Sequence, residues 1–217
     1  ELEKADNVDE ALDKLMQRTV KEHKKIIFSG NGYSDSWVEE AARRGLPNCR
    51  SMVDSVDSMI APRTVKMFEE HKVLTETECA ARAEIMYESY INKVQIEART
   101  MIDMVAKQIK PAVIAYAKVV ADTVASLSAV GADADVEREL LGNITANISL
   151  LDAGFKKLKK ELDKSVSIED VKEKAVFVKD HVFTSMEELR KPADELEMLV
   201  DEEYWPFPTY GDILFYV

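Results

Sequence analysis

Cysteine, glycine, proline and histidine are all scarce in this 217-residue chain, at 2, 7, 6 and 3 residues. With only Cys49 and Cys79 as thiols, a disulfide framework and a cysteine-based zinc site are excluded, and a reducing compartment is the simplest reading. So few glycines and prolines do not suit a protein of many strands and tight turns. Positive charge is also short, with 29 Lys and Arg against 41 Asp and Glu, a net charge of -12. Nucleic-acid binders gain affinity by neutralising phosphates with Lys and Arg, so that class is disfavoured. No apolar leader opens the chain, which begins Glu1-Leu2-Glu3-Lys4 without an initiator Met, so no signal peptide is expected and the chain reads as a piece of something longer. The most apolar window, Pro111 to Val130, carries Lys118 and Asp122 in mid-span. A bilayer core penalises both, and a buried helix of a soluble protein is expected instead. What remains is a globular composition, 46% hydrophobic and 32% charged, of a length for one or two domains.

Helical spacing dominates. Val8, Ala11, Leu12, Leu15, Met16 and Val20 predict an amphipathic helix over residues 6–25, capped by Asp6 or Asn7. Ile26-Ile27-Phe28 is either its buried end or a short strand, and Gly30-Asn31-Gly32 breaks the chain because both glycines can take positive φ. Ser34 is placed to cap a helix through Arg44, with Tyr33 and Val38 as a hydrophobic staple and Gly45 and Pro47 as the stop. Two short helices are expected near 51–60 and 62–71, the second opened by Pro62.

From Thr75 the pattern lengthens. Thr75 and Glu78 form a capping box. An apolar stripe from Met86 through Tyr90, Val94, Ala98, Val105, Ile109 and Tyr116 to Leu127 then predicts one helix on the order of 75–80 Å long. Asp103, Lys107, Lys110, Lys118 and Asp122 form its opposite face, and Pro111 should kink it. After Gly131-Ala132-Asp133, steps of three and four run Leu141, Ile144, Ile148, Leu151, Phe155, Leu158, Leu162. They resume from Ile168 through Val171, Ala175, Val178, Val182, Met186, Leu189, Ala193 and Leu196 to Val200. Sustained three-four spacing with short connections predicts an all-α fold. It would be a long antiparallel helical bundle, made of a kinked long helix and two partner helices, on a smaller base of short helices.

Chemistry-bearing motifs are few. Lys24 to Trp37, KKIIFSGNGYSDSW, suggests a glycine loop before a helix, but Asp35 stands where a dinucleotide fingerprint needs its third glycine and no P-loop Lys follows. A plain turn is the better reading. Asp133, Asp135 and Glu137 begin like a calcium loop, yet Arg138 and Ile144 replace the required glycine and bidentate acid. Asp135 reads as a helix cap with an acidic first turn. His23, His71 and His181 lack partners at ligand spacing, no Ser-His-Asp or Cys-His set can be argued, and no Glu-x-x-His repeat is present. The sequons at Asn143 and Asn147 lie on a bundle helix and read as chance. No catalytic, cofactor-binding or metal residue is therefore assigned.

The end of the chain is different. Residues 204–217, YWPFPTYGDILFYV, hold 6 of the 16 aromatics, namely Tyr204, Trp205, Phe207, Tyr210, Phe215 and Tyr216, and one charged side chain, Asp212. Pro206 and Pro208 favour an extended run, and so apolar a segment must dock, either on its own bundle or on a missing domain or neighbouring subunit. Just before it, eight acids between Glu187 and Glu203 face only Arg190 and Lys191. That surface is either simply solvated or shaped for a basic partner.

Four segments together resemble the C-terminal part of type III glutamine synthetase: the opening ELEKADNVDEALDKL, IIFSGNGYSDSWVEEAARRGLPN (Ile26 to Asn48), QIEARTMIDMVAKQIKPAV (Gln95 to Val113) and YWPFPTYGDILF (Tyr204 to Phe215). Departures in CAARAEIMYESY (Cys79 to Tyr90) and SMVDSVDSMIAPRTV (Ser51 to Val65) mark a distant member. The resemblance implies a parent enzyme, cytoplasmic and built as a large double-ring homo-oligomer. It condenses glutamate with ammonia using ATP and Mg or Mn through a γ-glutamyl phosphate. The family's metal-binding glutamates and phosphate-binding arginines do not occur here, so this chain alone is expected to be inactive. Residues 1–48 would be the last helices of the catalytic domain. Residues 49–217 would be a helical extension, with a bundle over about 75–203 and a docking tail over 204–217. Its partners would be its own upstream catalytic domain and neighbouring subunits, with no nucleic acid and no membrane. The reading from a different class is a free-standing helical interaction module with no enzymatic parent.

Overall fold

The structure is a computed structural model that describes residue 2 and residues 6–215, with only the backbone of Tyr210 and Phe215. Every regular element among the described residues is helical. The chain divides into two compact units, Glu1–Ser51 and Met52–Val217.

The first unit holds α1 (Val8–Glu22) and α2 (Asp35–Arg43). Asn7 caps α1 by accepting the Glu10 amide at 3.3 Å. Its apolar stripe is not covered: Val8, Met16 and Val20 are all more than half exposed, and in the whole unit Ala41 is the one buried hydrophobic residue among those described. Ile26 ends a 3₁₀ turn (Lys24–Ile26) and Ile27 is extended. Both are exposed, so this run is neither a buried helix end nor a strand. Neither Gly30 nor Gly32 has positive φ. A Cβ at Gly30 would lie 2.4 Å from the far edge of the Phe28 ring, so a side chain there would push that ring aside. Ser34 occupies the N-cap of α2 without capping it, its hydroxyl donating instead to the Asn31 carbonyl, and Tyr33 is fully exposed, so there is no staple. Phe28 stacks on Trp37 with ring centroids 4.1 Å apart. Arg44 reaches both rings and donates to the Ile27 carbonyl, while its Nε pairs with Glu40 at 2.6 Å, which holds that carboxyl below its ordinary range. The stop is as expected: Gly45 at φ 70° lets the Leu46 amide reach the Ala41 carbonyl and the Gly45 amide that of Ala42.

In the second unit, α3 (Met52–Met59) and α4 (Pro62–Glu70) precede the bundle, with Pro62 in the first turn of α4. The Thr75–Glu78 capping box is present in both directions and opens α5 (Glu76–Met104). A π-helical turn (Val105–Ile109) then leads into α6 (Lys110–Ala129), giving 54 continuous helical residues. Pro111 is accommodated immediately after this wide turn, whose i→i+5 bonding relieves the clash a proline makes with the preceding turn. The helix is long and apolar enough to cross a bilayer by length and composition. It packs on the bundle through Tyr87, Ile91, Val94, Ala98, Val105, Ile109 and Val113, but in α6 only Val113 and Val120 are buried. The apolar window Pro111 to Val130, expected to be buried, is thus mostly exposed, because the bundle covers it only along the line of Val113 and Val120.

Gly131, at φ 73°, ends α6 with the same pair of backbone bonds as Gly45, from the Ala132 amide to Leu127 and from Gly131 to Ser128. Asp133, not Asp135, receives the first free amide, and Asp135 begins α7 (Asp135–Val166) with Arg138 paired to it. A short turn follows. Then α8 (Val171–Phe177), a second π turn (Val178–Phe183) and α9 (Thr184–Leu199) return along α7. Ile144, Leu151, Leu158, Val178, Val182, Leu189 and Leu196 are fully enclosed along this seam. Lys110, expected on the solvent face, turns inward: its Nζ pairs with Asp152 of α7 and lies 4.0 Å from the centre of the Phe155 ring. With Lys156 on its other oxygen, Asp152 is held down at about 2. Gln95 and Ser165 join α5 to α7 through a buried 3.1 Å bond, and the Ser165 hydroxyl donates to Leu162.

The base is tied on by charge. Asp57 and Asp54 of α3 receive Lys172 of α8 and Lys179 of the second π turn, and Tyr87 of α5 donates to Asp57 at 2.9 Å. Burial first, and then Asp57, pushes the Tyr87 phenol up to about 12 from 10.0. Because the folded value is raised, the stabilisation it reflects is complete below pH 10 and fades as pH climbs from about 10 to 12. Tyr87→Phe should cost about 1 kcal/mol at pH 7, the worth of one hydrogen bond. It should also flatten this alkaline loss, as read from urea melts at pH 9 and pH 11.5; equal alkaline slopes for both proteins would refute the assignment.

Candidate functional site

The aromatic end of the chain is the one feature that sequence reasoning singled out as a contact site, and its geometry begins at Asp201. α9 stops at Leu199, Val200 is extended, and Asp201 gathers the turn by accepting the Glu203 amide on its side chain and the Tyr204 and Trp205 amides on its carbonyl. That turn lays Trp205 against the bundle, nine-tenths buried. Tyr204 leans on Tyr116 of α6 at 5.4 Å between centroids, and Phe207 meets Trp205 edge-on at 6.0 Å. Tyr204, Trp205 and Phe207 thus pack on this chain's own bundle. The extended run expected over the tail is not what forms: the segment turns and bends without helix through Thr209, and past the two prolines, whose constraint is local, it folds into α10 (Tyr210–Phe215). Thr209 and Asp212 make a second capping box: the Thr209 amide and hydroxyl donate to Asp212, whose amide donates back to Thr209 Oγ1. Ile213 and Leu214 project into solvent. The side chains of Tyr210 and Phe215, and the whole of Tyr216, lie outside the described residues.

The other candidates do not assemble into a site. Among the described residues no three His, Cys, Asp or Glu side chains come together as a metal-ligand set. His23 and His71 terminate α1 and α4, and His181 lies against Phe177 at 4.5 Å. Cys79 is buried at the start of α5 and Cys49 is exposed. Of the acids near the tail, Glu188 pairs with Lys157 of α7 and Asp194 with Arg190. Sequence reasoning missed the inward Lys110–Asp152 pair and the role of Gly154, where a Cβ would lie 3.3 Å from the Leu189 backbone. A glycine in mid-helix is the signal for the latter.

Residues 11–128 match the family described as glutamine synthetase C-terminal domain. The chain belongs to that family. This glutamine synthetase C-terminal region is similar to the glutamine synthetase of Butyrivibrio fibrisolvens, 32% identical over 212 residues that make up 97% of this chain and 30% of that protein. It is also similar to the type-3 glutamine synthetase of Dictyostelium discoideum, 29% identical over 211 residues, 94% of this chain and 29% of that protein. The glutamine synthetase of Bacteroides fragilis shares 29% over 213 residues, 95% of this chain and 29% of that protein. The chain therefore spans about 30% of the length of the curated relatives it matches.

Proposed function

We propose that this glutamine synthetase C-terminal region acts as the non-catalytic helical framework of an enzyme that ligates ammonia to glutamate with ATP, buttressing the catalytic domain and contributing subunit contacts in a cytoplasmic homo-oligomer. The observation that carries this reading is the family match over residues 11–128 in a chain whose described residues present no metal-ligand set. Among the described residues no three His, Cys, Asp or Glu side chains come together to hold Mg or Mn. Exposed apolar surface supports the contact role at both ends. The first unit, residues 1–48 in this reading, is the end of the catalytic domain, and its α1 stripe is left bare for lack of a core of its own. At the other end, Trp205 and Phe207 anchor the tail while Ile213 and Leu214 remain available to a neighbouring subunit. Calorimetry of the 217-residue chain with ATP and magnesium should give no binding heat and no glutamine should form; micromolar nucleotide binding would overturn the framework reading.

A further inference from the structure

Along its axis, α6 is apolar on both sides but covered on one. Val113 and Val120 are its two buried residues, and the side that carries them meets α7. At about 100° per residue, the opposite side is centred on Ala115, Lys118, Asp122 and Ser126 and flanked by Ile114 and Val119. All six are exposed, Ile114 by 60% and Val119 by 43%. The hydroxyls on this side are already used: Ser126 donates to the Asp122 carbonyl and Thr123 to that of Val119. A bare apolar face of this kind marks a contact surface. Two charges stand on it, and neither Lys118 nor Asp122 forms an ion pair with another described residue. They are four residues apart, but with Lys before Asp, the weaker order for pairing along one helix. Both lie in the middle of the face, which disfavours a bilayer as its cover.

The placement of those charges selects the occupant. Lys118 and Asp122 stand two residues on either side of Val120. When a second α6 crosses the first antiparallel, with the two-fold axis at residue 120, Lys118 of each copy meets Asp122 of the other. The same register sets Ile114 opposite Ser126 and Ala115 opposite Ala125, so bulk meets a smaller side chain. A parallel pair would set Lys118 on Lys118 and Asp122 on Asp122, a repulsion that excludes it. Elsewhere the net charge of -12 opposes self-association, whereas this face is neutral and complementary to itself. We infer that the outer face of α6 is an isologous contact between two copies of this chain, antiparallel about residue 120, with two reciprocal Lys118–Asp122 pairs fixing its register. The inference names a face for the subunit contacts of the framework reading, on which it rests for its setting; nucleotide calorimetry tests that reading, and sedimentation tests this contact alone.

Sedimentation equilibrium of the 217-residue chain should show monomer and dimer in exchange. Lys118→Asp and Asp122→Lys change exposed side chains and leave the core untouched, so helical circular dichroism should stay that of the parent. Each should weaken dimerisation by about tenfold or more, because like charges then face each other across the axis. Mixed in equal amounts, the two variants should recover the parent's dimer, since every Asp of one then faces a Lys of the other. The double variant Lys118→Asp with Asp122→Lys should recover it alone. The proposal fails if the parent chain is monomeric, or if the mixture associates no better than its components. It also fails if each single variant dimerises as tightly as the parent, which would place the contact on α1 or the tail. Flotation of the chain with phosphatidylcholine vesicles would overturn it too, by making a lipid surface the cover of α6.

Discussion

Leu189→Ala is expected to lower the unfolding free energy of the bundle by about 3–5 kcal/mol, the upper part of the range for a leucine truncated in a core. The size follows from what surrounds the side chain. Leu189 is fully enclosed on α9, and opposite it on α7 stands Gly154, where a Cβ would already lie 3.3 Å from both the Leu189 Cα and its Cδ1. The two helices therefore meet almost backbone to backbone at this level. A neighbouring side chain normally swings into part of a new void, but Gly154 has none to offer, so the cavity stays open and its full cost is felt. Urea melts followed by helical circular dichroism measure the effect; a loss under 1 kcal/mol would mean that the α7–α9 seam is not where the bundle is held. Gly154→Ala provides the complement. It gains about 1 kcal/mol of helix propensity and spends a similar amount on the tightened contact, so a net change near zero is expected.

That seam shows how far the sequence could be read. Several signals confined to a few neighbouring residues were legible, namely the Thr75–Glu78 box, Pro62 at a first turn, and Gly45 and Gly131 past their helices, whereas the Ser34 cap, the Tyr33–Val38 staple, the Asp135 cap and positive φ at Gly30 and Gly32 did not form. The all-α bundle was legible too, because steps of three and four over Leu141–Leu162 and Ile168–Val200 admit no other regular structure. The π turns were not. Val105, Ile109 and Val113 are all buried at successive steps of four, which in an α-helix overshoot the turn by about 40° each. A wider turn absorbs that drift. Yet Cys79, Ala83, Tyr87 and Ile91 are buried at the same spacing in ordinary α-helix, so spacing alone does not distinguish the two.

Pairings across the fold were also invisible in sequence. Asp57 and Lys172 stand 115 residues apart, and nothing local marks Lys110 as the lysine that turns inward while Lys107 pairs along its own helix with Asp103. Periodicity reports that a face is apolar, not what covers it, which is why the amphipathic α1 was legible but its bare stripe was not, and why Pro111 to Val130 read as buried and is not. The same limit applies to the tail. Its need to dock follows from composition, but the bundle face that receives Trp205 is set by the course of the Asp201 turn.

Replacing Trp205 and Phe207 together by alanine is expected to free the end of the chain while the bundle stays folded. Truncating a buried tryptophan costs about 3–5 kcal/mol in a core, and Phe207 adds less than its separate value because the two rings touch. For a terminal segment this cost has a ceiling: once the tail has left, no further contact remains to lose, so the penalty cannot exceed the free energy of docking. Hydrogen exchange separates the two possibilities. The Trp205 amide, bonded to the Asp201 carbonyl, should lose protection by about 100-fold or more, the equivalent of roughly 3 kcal/mol, whereas amides around the enclosed Leu158 should keep theirs. Protection lost throughout α7 and α9 would instead make Trp205 part of the bundle's core. In the proposed full-length enzyme, the same double variant should lower assembly or the melting temperature before it changes substrate affinity, because both rings pack on the helical bundle of the proposed framework. Unchanged sedimentation and melting there would remove the docking role, since a strap whose anchors can be deleted without consequence holds nothing.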